Sequence, residues 1–378
     1  MMGSLVKEDL AVRFDMLEDP RMDRHKKYPI CEIVFLGIFG ALHGVESWRG
    51  LELLGNEKLD FLRKFFEFEE GIPSHQTIGR VFSILKPKSF EDFFRVWTSG
   101  ANGSNAGRQI ALDGKTVRGS YDKLSKKEAI HLLNACAVDC GITLAQMEVG
   151  SKTNEITVVP QMLDVLDVEG AMISVDALNT QKEIAKKIID AKAQYTLALK
   201  GNHKTLNEEV ELLFDTAKLD STSRFEDTEK SHGRISTRVF DVLKVDVLNL
   251  PQIPEWKGLV AVGRVQTNVV KGLIESSETR LYLLSYTDVK LFAKSARGHW
   301  GVESLHWTLD VTYGEDASRK RKDHAPRNYS LIRKFSLNIL RSFKGKLSVP
   351  LAHIKAGANP EFLETLLVGS GFKALQSV

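Results

Sequence analysis

The sequence predicts an α/β chain in which a helical region precedes a mixed-sheet domain, and three observations carry that reading. Residues 8–98 place apolar side chains at helical spacing and hold no convincing alternating strand. A Gly/Asn/Ser-rich stretch, SGANGSNAGRQ at 99–109, then marks a boundary. Beyond it come three apolar runs in succession, followed by runs that alternate with helical segments. With 378 residues, 43% hydrophobic and 27% charged, the chain can bury a substantial core across two or three domains. A net charge of +3 neither demands nor excludes a nucleic-acid partner. Cys31, Cys136 and Cys140 are too few for a disulfide framework and fit a reducing cytoplasm. The Cys136/Cys140 pair in HLLNACAVDCG reads as core on a strand, not as a metal site.

The elements follow in order. MMGSLVKEDLAVRF has no continuous apolar run of the secretory kind, and ICEIVFLGIFGALHG is shorter than the roughly 20 apolar residues of a membrane span, so it reads as a buried helix. LELLGNEKLDFLRKFFEFEE, HQTIGRVFSILK and SFEDFFRVW continue the helical region, with Ser74 and Ser89 at N-cap positions. The segment GIPSHQTIGRVFSIL starts a capped helix with short polar side chains. It reads either as the recognition helix of a helix-turn-helix or as an ordinary packed helix. After the boundary come strand IALDG, the basic turn KTVRGSYDK, strands HLLNACAVD and ITLAQMEV, a helix around TNEITVVPQMLDVLD, strand AMISVDAL, helix TQKEIAKKIIDA and strand YTLALKG. Three strands and then alternating helices and strands is the order of a ribonuclease H-like domain, whose first and fourth strands lie side by side. ISTRVFDVLKVDVL, GLVAVGRVQTNVV and TRLYLLSYT form a β-rich insertion at 203–288, or strands that extend the sheet. The expected organisation is a helical N-terminal domain at 1–98 with a DNA-binding role open to it, the linker 99–109, a catalytic domain at 110–345 and a C-terminal tail at 346–378.

Two of the strands end on an acid. Ile110-Ala111-Leu112 runs into Asp113, and Met172-Ile173-Ser174-Val175 into Asp176. Each reads as a buried strand delivering a carboxylate to its exposed end, where α/β sheets gather ligand groups. The plainer reading is a turn former or helix N-cap. A third acid, Glu303, lies on a helix at 290–309, with His299 and either His306 or Trp307 on the same face; Asp310, Glu315 and Asp316 compete with it. If these acids converge on divalent metal, the chemistry they suit is cutting or joining nucleic acid. Cations for the phosphate backbone are richest in SRKRKDHAPRN, with Arg319, Lys320, Arg321, Lys322 and Arg327; Lys115, Arg118, His232 and Arg234 are further candidates. His299, His306 and His324 lack the spacing of a zinc site, and no Walker-type loop or Ser/Cys nucleophile motif occurs. Trp300 and Trp307 read as core or as stacking surfaces for unpaired bases.

Seven segments together carry a resemblance: PRMDRHKKYPICEIVFLGIFGAL, IPSHQTIGRVF, ALDGKTVRGS, SVDALNTQ, ALKGNH, SHGRISTR and RGHWGVESLHWTLDVTYGEDASRKRKDHAPRN. In this order, through nearly the whole chain, they resemble the insertion-sequence DDE transposases that include the H-repeat-associated proteins of enterobacteria. The resemblance implies a helical domain before a ribonuclease H-like catalytic domain, with Asp113, Asp176 and Glu303 as the metal-binding acids. It also implies two Mg²⁺ ions per site, with Mn²⁺ as a substitute, no nucleotide cofactor, transposon ends and target DNA as partners, and a homodimer on DNA. Water would attack at a transposon end and the freed 3′-hydroxyl would then attack target DNA. A chain that binds DNA without cutting it, a remnant of such an enzyme, is the alternative; a structure-directed metal nuclease is a third. The pattern departs from related transposases at three places. His299 and Asp310 stand where an Arg and a Lys flank the catalytic Glu, and Ser236-Thr237-Arg238 stands for Glu-Thr-Arg. Arg297 is the candidate to supply the missing cation.

Overall fold

The computed structural model describes residues 14–23, 26–122, 127–150, 153–216, 222–231, 233–244, 253–272 and 274–372, and in it the apolar periodicity from residue 30 to about 100 is realised as five helices. Helix α1 (Ile30–Leu42) is buried on nearly every side. Helix α2 (Trp48–Glu57) starts at Ser47, whose Oγ accepts from Gly50 N at 3.0 Å, and the single turn α3 (Leu59–Leu62) follows. Helix α4 (His75–Ile84) is capped as expected by Ser74, which accepts from Thr77 N. Ser89 does not cap. Helix α5 (Pro87–Asn102) begins two residues earlier, because Pro87 suits a first helical position where no amide donor is needed. Ser89 Oγ instead donates to Met16 O at 3.0 Å and accepts from Glu18 N. The Gly/Asn/Ser stretch is partly helical, since α5 runs through Asn102.

These helices close their core on the far end of the chain. Phe35 packs its ring 5.0 Å from Phe372, and Phe94 meets Phe335 edge-on at 4.7 Å. Phe335 belongs to α11 (Ala325–Phe343) and Phe372 follows α13 (Pro360–Gly369); these two helices and α12 (Val349–Ala358) bury Leu337, Leu366 and Ala352 in the same cluster. Residues 346–378, read from sequence as a tail, thus contain two packed helices. Among the described residues no helix is long and apolar enough to cross a membrane.

The rest is a mixed α/β unit built on a nine-stranded sheet in the order β3-β2-β1-β4-β5-β9-β8-β7-β6. Strands β1 (Gln109–Thr116), β2 (His131–Ala137) and β3 (Ile142–Val149) are antiparallel neighbours. Helix α6 (Glu155–Val165) leads to β4 (Met172–Val175), and α7 (Lys182–Asp190) to β5 (Gln194–Leu199). The first and fourth strands are adjacent and parallel, as the strand order demanded. Helix α8 (Lys204–Thr216) precedes four long strands, β6 (Thr222–Ser231), β7 (Arg234–Lys244), β8 (Ala261–Lys271) and β9 (Ile274–Leu284). Of the two placements open to them, they take the second. They extend the sheet, because β9 pairs antiparallel with the edge of β5 from Thr196↔Leu284 to Leu199↔Leu281.

Candidate active site

Parallel pairing of β1 with β4 ends at Leu112 beside Val175, so Asp176, just past the end of β4, comes next to Asp113, which is not at a strand end as expected but inside β1, still paired with Asn134 of β2. Burial, followed by repulsion from Asp176, Glu155 and Glu303, pushes the Asp113 carboxyl up to about 7. Asp176 also makes the turn that its plainer reading predicts: its Oδ1 accepts from Asn179 N at 3.0 Å and Asn179 Nδ2 at 2.9 Å.

The fourth acid around Asp113 is Glu155, which sequence reasoning missed. It occupies the first turn of α6 and is held from two sides. Its Oε1 lies 2.7 Å from His131 Nε2 on β2, and its Oε2 accepts from Asn179 Nδ2 at 2.8 Å. Burial works against ionisation, but these bonds and the nearby His131 hold Glu155 below the usual carboxylate range. The same Asn179 amide therefore ties Glu155 to Asp176. Gly114 leaves room for this arrangement, since a Cβ there would collide with the Glu155 carboxylate and the His131 ring. A Gly directly after an Asp that closes an apolar run was the only signal for the approach.

Glu303 reaches the site on a helix that is not the single rod expected. Helix α9 (Val289–His299) and helix α10 (Gly301–Val311) break at Trp300, between Gly298 and Gly301. Gly298 sits against Gln109, and any side chain there would strike its amide. That contact belongs to a polar layer that fixes α9 on the sheet. Gln109 Nε2 donates to Ser174 Oγ at 2.9 Å and Ser295 O at 2.8 Å, and His299 Nδ1 lies 3.1 Å from the same Ser174 hydroxyl. Burial holds the His299 imidazole below its ordinary pKa, so it serves here as a neutral hydrogen-bonding ring. Glu303 is exposed in the first turn of α10. His306, one turn further, approaches Asp113 Oδ2 at 3.6 Å, but burial and then Lys334 and Lys115 push its pKa down to about 4. The contact is a neutral imidazole beside a carboxyl, not an ion pair. Trp300 and Trp307 are both exposed, and the Arg280 guanidinium lies over the Trp300 ring at 4.2 Å.

A second acidic group lies next to the first and is neutralised. Lys115 Nζ is 2.7 Å from Asp310, 3.0 Å from Asp316 and 3.8 Å from Glu315. Arg333 and Ser330 also reach the buried Glu315. Asp310 is therefore engaged as a structural partner of Lys115 on β1. Among the described residues, by contrast, no Lys or Arg pairs with Asp113, Asp176 or Glu303, and no three His, Cys, Asp or Glu side chains stand so as to enclose a metal ion.

The expected DNA-contacting cations divide sharply. Lys115 is 7% exposed and committed to its acids, so its place in a DNA groove is corrected: two positions past Asp113 it shares that residue's face of β1, but there Asp310, Glu315 and Asp316 take up its amine. Arg327 is likewise committed, gripping Glu91 through two bonds of 2.7 Å and Glu148 at 2.8 Å. Lys320 is buried over the rings of Trp48 and Tyr329. Arg297 pairs with Asp227 and Glu229 on β6, which leaves it no charge to offer as the missing cation. Arg321 Nε donates to Gly119 O at 3.1 Å. Arg118, with 84% of its side chain exposed, and Arg234, Arg319 and Lys322 face solvent. His232 lies outside the described residues.

Residues 104–339 match the family described as Transposase DDE domain, and residues 11–98 match the one described as DDE_Tnp_1-associated. The chain is 38% identical to the transposase-named YncI of Escherichia coli O157:H7, over 95% of this chain and 94% of that one. It is 35% identical to the H repeat-associated YhhI of Escherichia coli K12, over 96% of this chain and 98% of its relative. A piggyBac transposase synaptic complex with hairpin DNA overlays at a TM-score of 0.42 and 12% identity, over 98% of this chain and 78% of the other, too loosely to carry an argument. By its match over residues 104–339 and its near full-length relatives, this chain belongs to the DDE transposase family that includes the H repeat-associated proteins.

Proposed function

We propose that this protein is a DNA transposase that cleaves the ends of an insertion sequence and joins them to target DNA, with Asp113, Asp176 and Glu303 as its catalytic acids and Glu155 as a fourth carboxylate supporting them. The observation that carries this reading is the setting of Asp113: Asp176, Glu155 and Glu303 all press on its carboxyl, and among the described residues no Lys or Arg pairs with the three predicted acids. The β3-β2-β1-β4-β5 half of the sheet supports a ribonuclease H-like reading of the fold.

The donor set fits a divalent cation in kind: all oxygen, all carboxylate and mutually repelling, which is what Mg²⁺ or Mn²⁺ favours. Asp113, Asp176 and Glu303 would hold it, and once bound it would offset the charge that develops on the attacking and leaving oxygens of a phosphodiester. The protein's own residues prepare the place. His131 and Asn179 fix the Glu155 carboxylate against Asp113 and Asp176, as outer partners do around acid ligands. Neutral His306 adds no positive charge to Asp113 Oδ2, leaving its lone pairs to the cation. Exposure of Glu303 opens the site to a polymer backbone. Pairing two element ends calls for two protomers, so the working form is a dimer on DNA.

Labelled duplexes carrying the element's ends, incubated with purified protein and Mg²⁺, Mn²⁺ or chelator, test this against Asp113→Asn. Metal-dependent nicking at the ends that disappears in the variant supports the enzyme. Specific binding with no cleavage under any metal would instead assign a remnant that keeps the fold and has lost the chemistry.

A further inference from the structure

A groove of about 540 Å³ runs between the N-terminal helix α4 and the segment that follows the second acidic group. Arg80, Arg319, Lys320, Arg321 and Lys322 line it, and no carboxylate residue does. This composition is unusual for the molecule, because Arg297 and Arg327 sit elsewhere against acids of their own. Arg80, Arg319 and Lys322 are exposed, and among the described residues none of the three forms an ion pair. Helix α4 buries Ile78, Val81 and Phe82 and turns Gln76, Gly79 and Arg80 toward the groove. Trp48 forms part of the floor, and Gly79 lies so close to its indole that a Cβ there would stand 3.0 Å from Nε1.

The groove is rigidly tied to the acids. Lys320 anchors one wall by lying 3.9 Å from the centre of the Tyr329 ring and 4.7 Å from that of Trp48, and by donating to Glu46 O. Arg321 anchors the same segment to Gly119 O, and Asp316 accepts from Arg118 N at 3.2 Å. Gly119 must be glycine, since a Cβ would strike the carbonyls of Ser318 and Asp316. Arg118 is five residues past Asp113 along the chain, at most about 18 Å away. That is about five nucleotide steps at 3.4 Å each.

We propose that this groove holds the phosphate backbone of the double-stranded DNA flanking the cleavage site, with Arg80 of the helical region and Arg319 and Lys322 of the catalytic region gripping one duplex together. The inference rests on the transposase reading and deepens it, since it joins the N-terminal helix and the acids in one DNA path. Backbone neutralisation of this kind positions DNA without reading its sequence.

The test is fluorescence anisotropy of the full-length protein on a labelled duplex carrying the element end, in chelator, across a salt series. The variants are Arg80→Gln/Arg319→Gln/Lys322→Gln and its charge-keeping counterpart Arg80→Lys/Arg319→Lys. Loss of three phosphate contacts should flatten the slope of log K against log salt by up to about 3 and weaken binding equally on unrelated duplexes, while the Lys variant keeps the wild-type slope. An unchanged slope and affinity in a triple variant that melts like wild type, with wild type itself binding duplex, overturns the groove and leaves the transposase reading standing. Wild-type protein that binds no duplex at any salt overturns both.

Discussion

Two acidic groups sit side by side in this protein, and they differ in what answers their charge. Asp310, Glu315 and Asp316 surround the buried amine of Lys115, with Arg333 behind Glu315. Asp176, Glu155 and Glu303 all press on Asp113, and among the described residues no Lys or Arg pairs with any of the four; His131 and Asn179 hold Glu155, and neutral His306 approaches Asp113. Both groups touch β1, one at Asp113 and the other at Lys115, two residues apart on the same strand. Carboxylates that carry their own cation hold the fold together. Carboxylates left without one are destabilising until a cation arrives from outside, and that cost is characteristic of a working site.

The contrast can be broken from either side. The largest effect expected is on the neutralised group: Lys115→Ala leaves buried acids unpaired and should cost about 3–5 kcal/mol in urea denaturation at pH 7. A loss below about 1 kcal/mol would mean that the amine is not the centre of that cluster. Next comes Glu155→Gln, for which a roughly 10–100-fold slower end cleavage with unchanged DNA affinity is expected. Cleavage at the wild-type rate would remove Glu155 from the site.

The third prediction concerns pH. Asp113 has its folded-state pKa raised from 3.8 to about 7, so the folded protein holds a proton there that the unfolded chain releases, and stability falls as pH rises through that window. Asp113→Asn should therefore be more stable than wild type by roughly 1–3 kcal/mol at pH 8 in chelator, with the gap closing near pH 4. Added Mg²⁺ should narrow the gap at pH 8 by stabilising only the wild type. A variant less stable than wild type at pH 8 would show Asp113 to be a structural residue. The smallest effect is at Arg297, half-exposed and paired on β6: Arg297→Gln should shift stability by no more than about 0.5 kcal/mol and leave DNA affinity intact. A large loss of affinity would return it to the DNA path.

What the sequence reveals about the two groups is uneven for physical reasons. Asp113 and Asp176 are legible as neighbours because the signal is local, an apolar run ending in an acid, and the order of strands sets the two runs side by side, although β1 itself continues past Asp113 to Thr116. Glu155 is not, because an acid in the first turn of a helix is favoured by the helix dipole wherever it occurs. Lys115 reads as a phosphate ligand because it follows a catalytic-looking Asp, while its partner Asp316 lies 201 positions away. The break at Trp300 is hidden for a similar reason: Gly298 is demanded by Gln109 on β1, not by its own helix. Ser89 misleads because one proline nearby moves the helix start.

The core shared by the two ends of the chain has a consequence for how the protein comes into being. Phe35 and its neighbours on the first helices wait for Phe335 and Phe372, and β5 waits for β9. A ribosome has therefore released nearly the whole polypeptide before the first helices are covered, and Glu303 joins Asp113 only after the long hairpins have emerged. A chain interrupted partway exposes aromatic surface that invites degradation, and it lacks the third acid. On the proposed reading of the site, an unfinished copy without Glu303 cannot complete the acid set around Asp113.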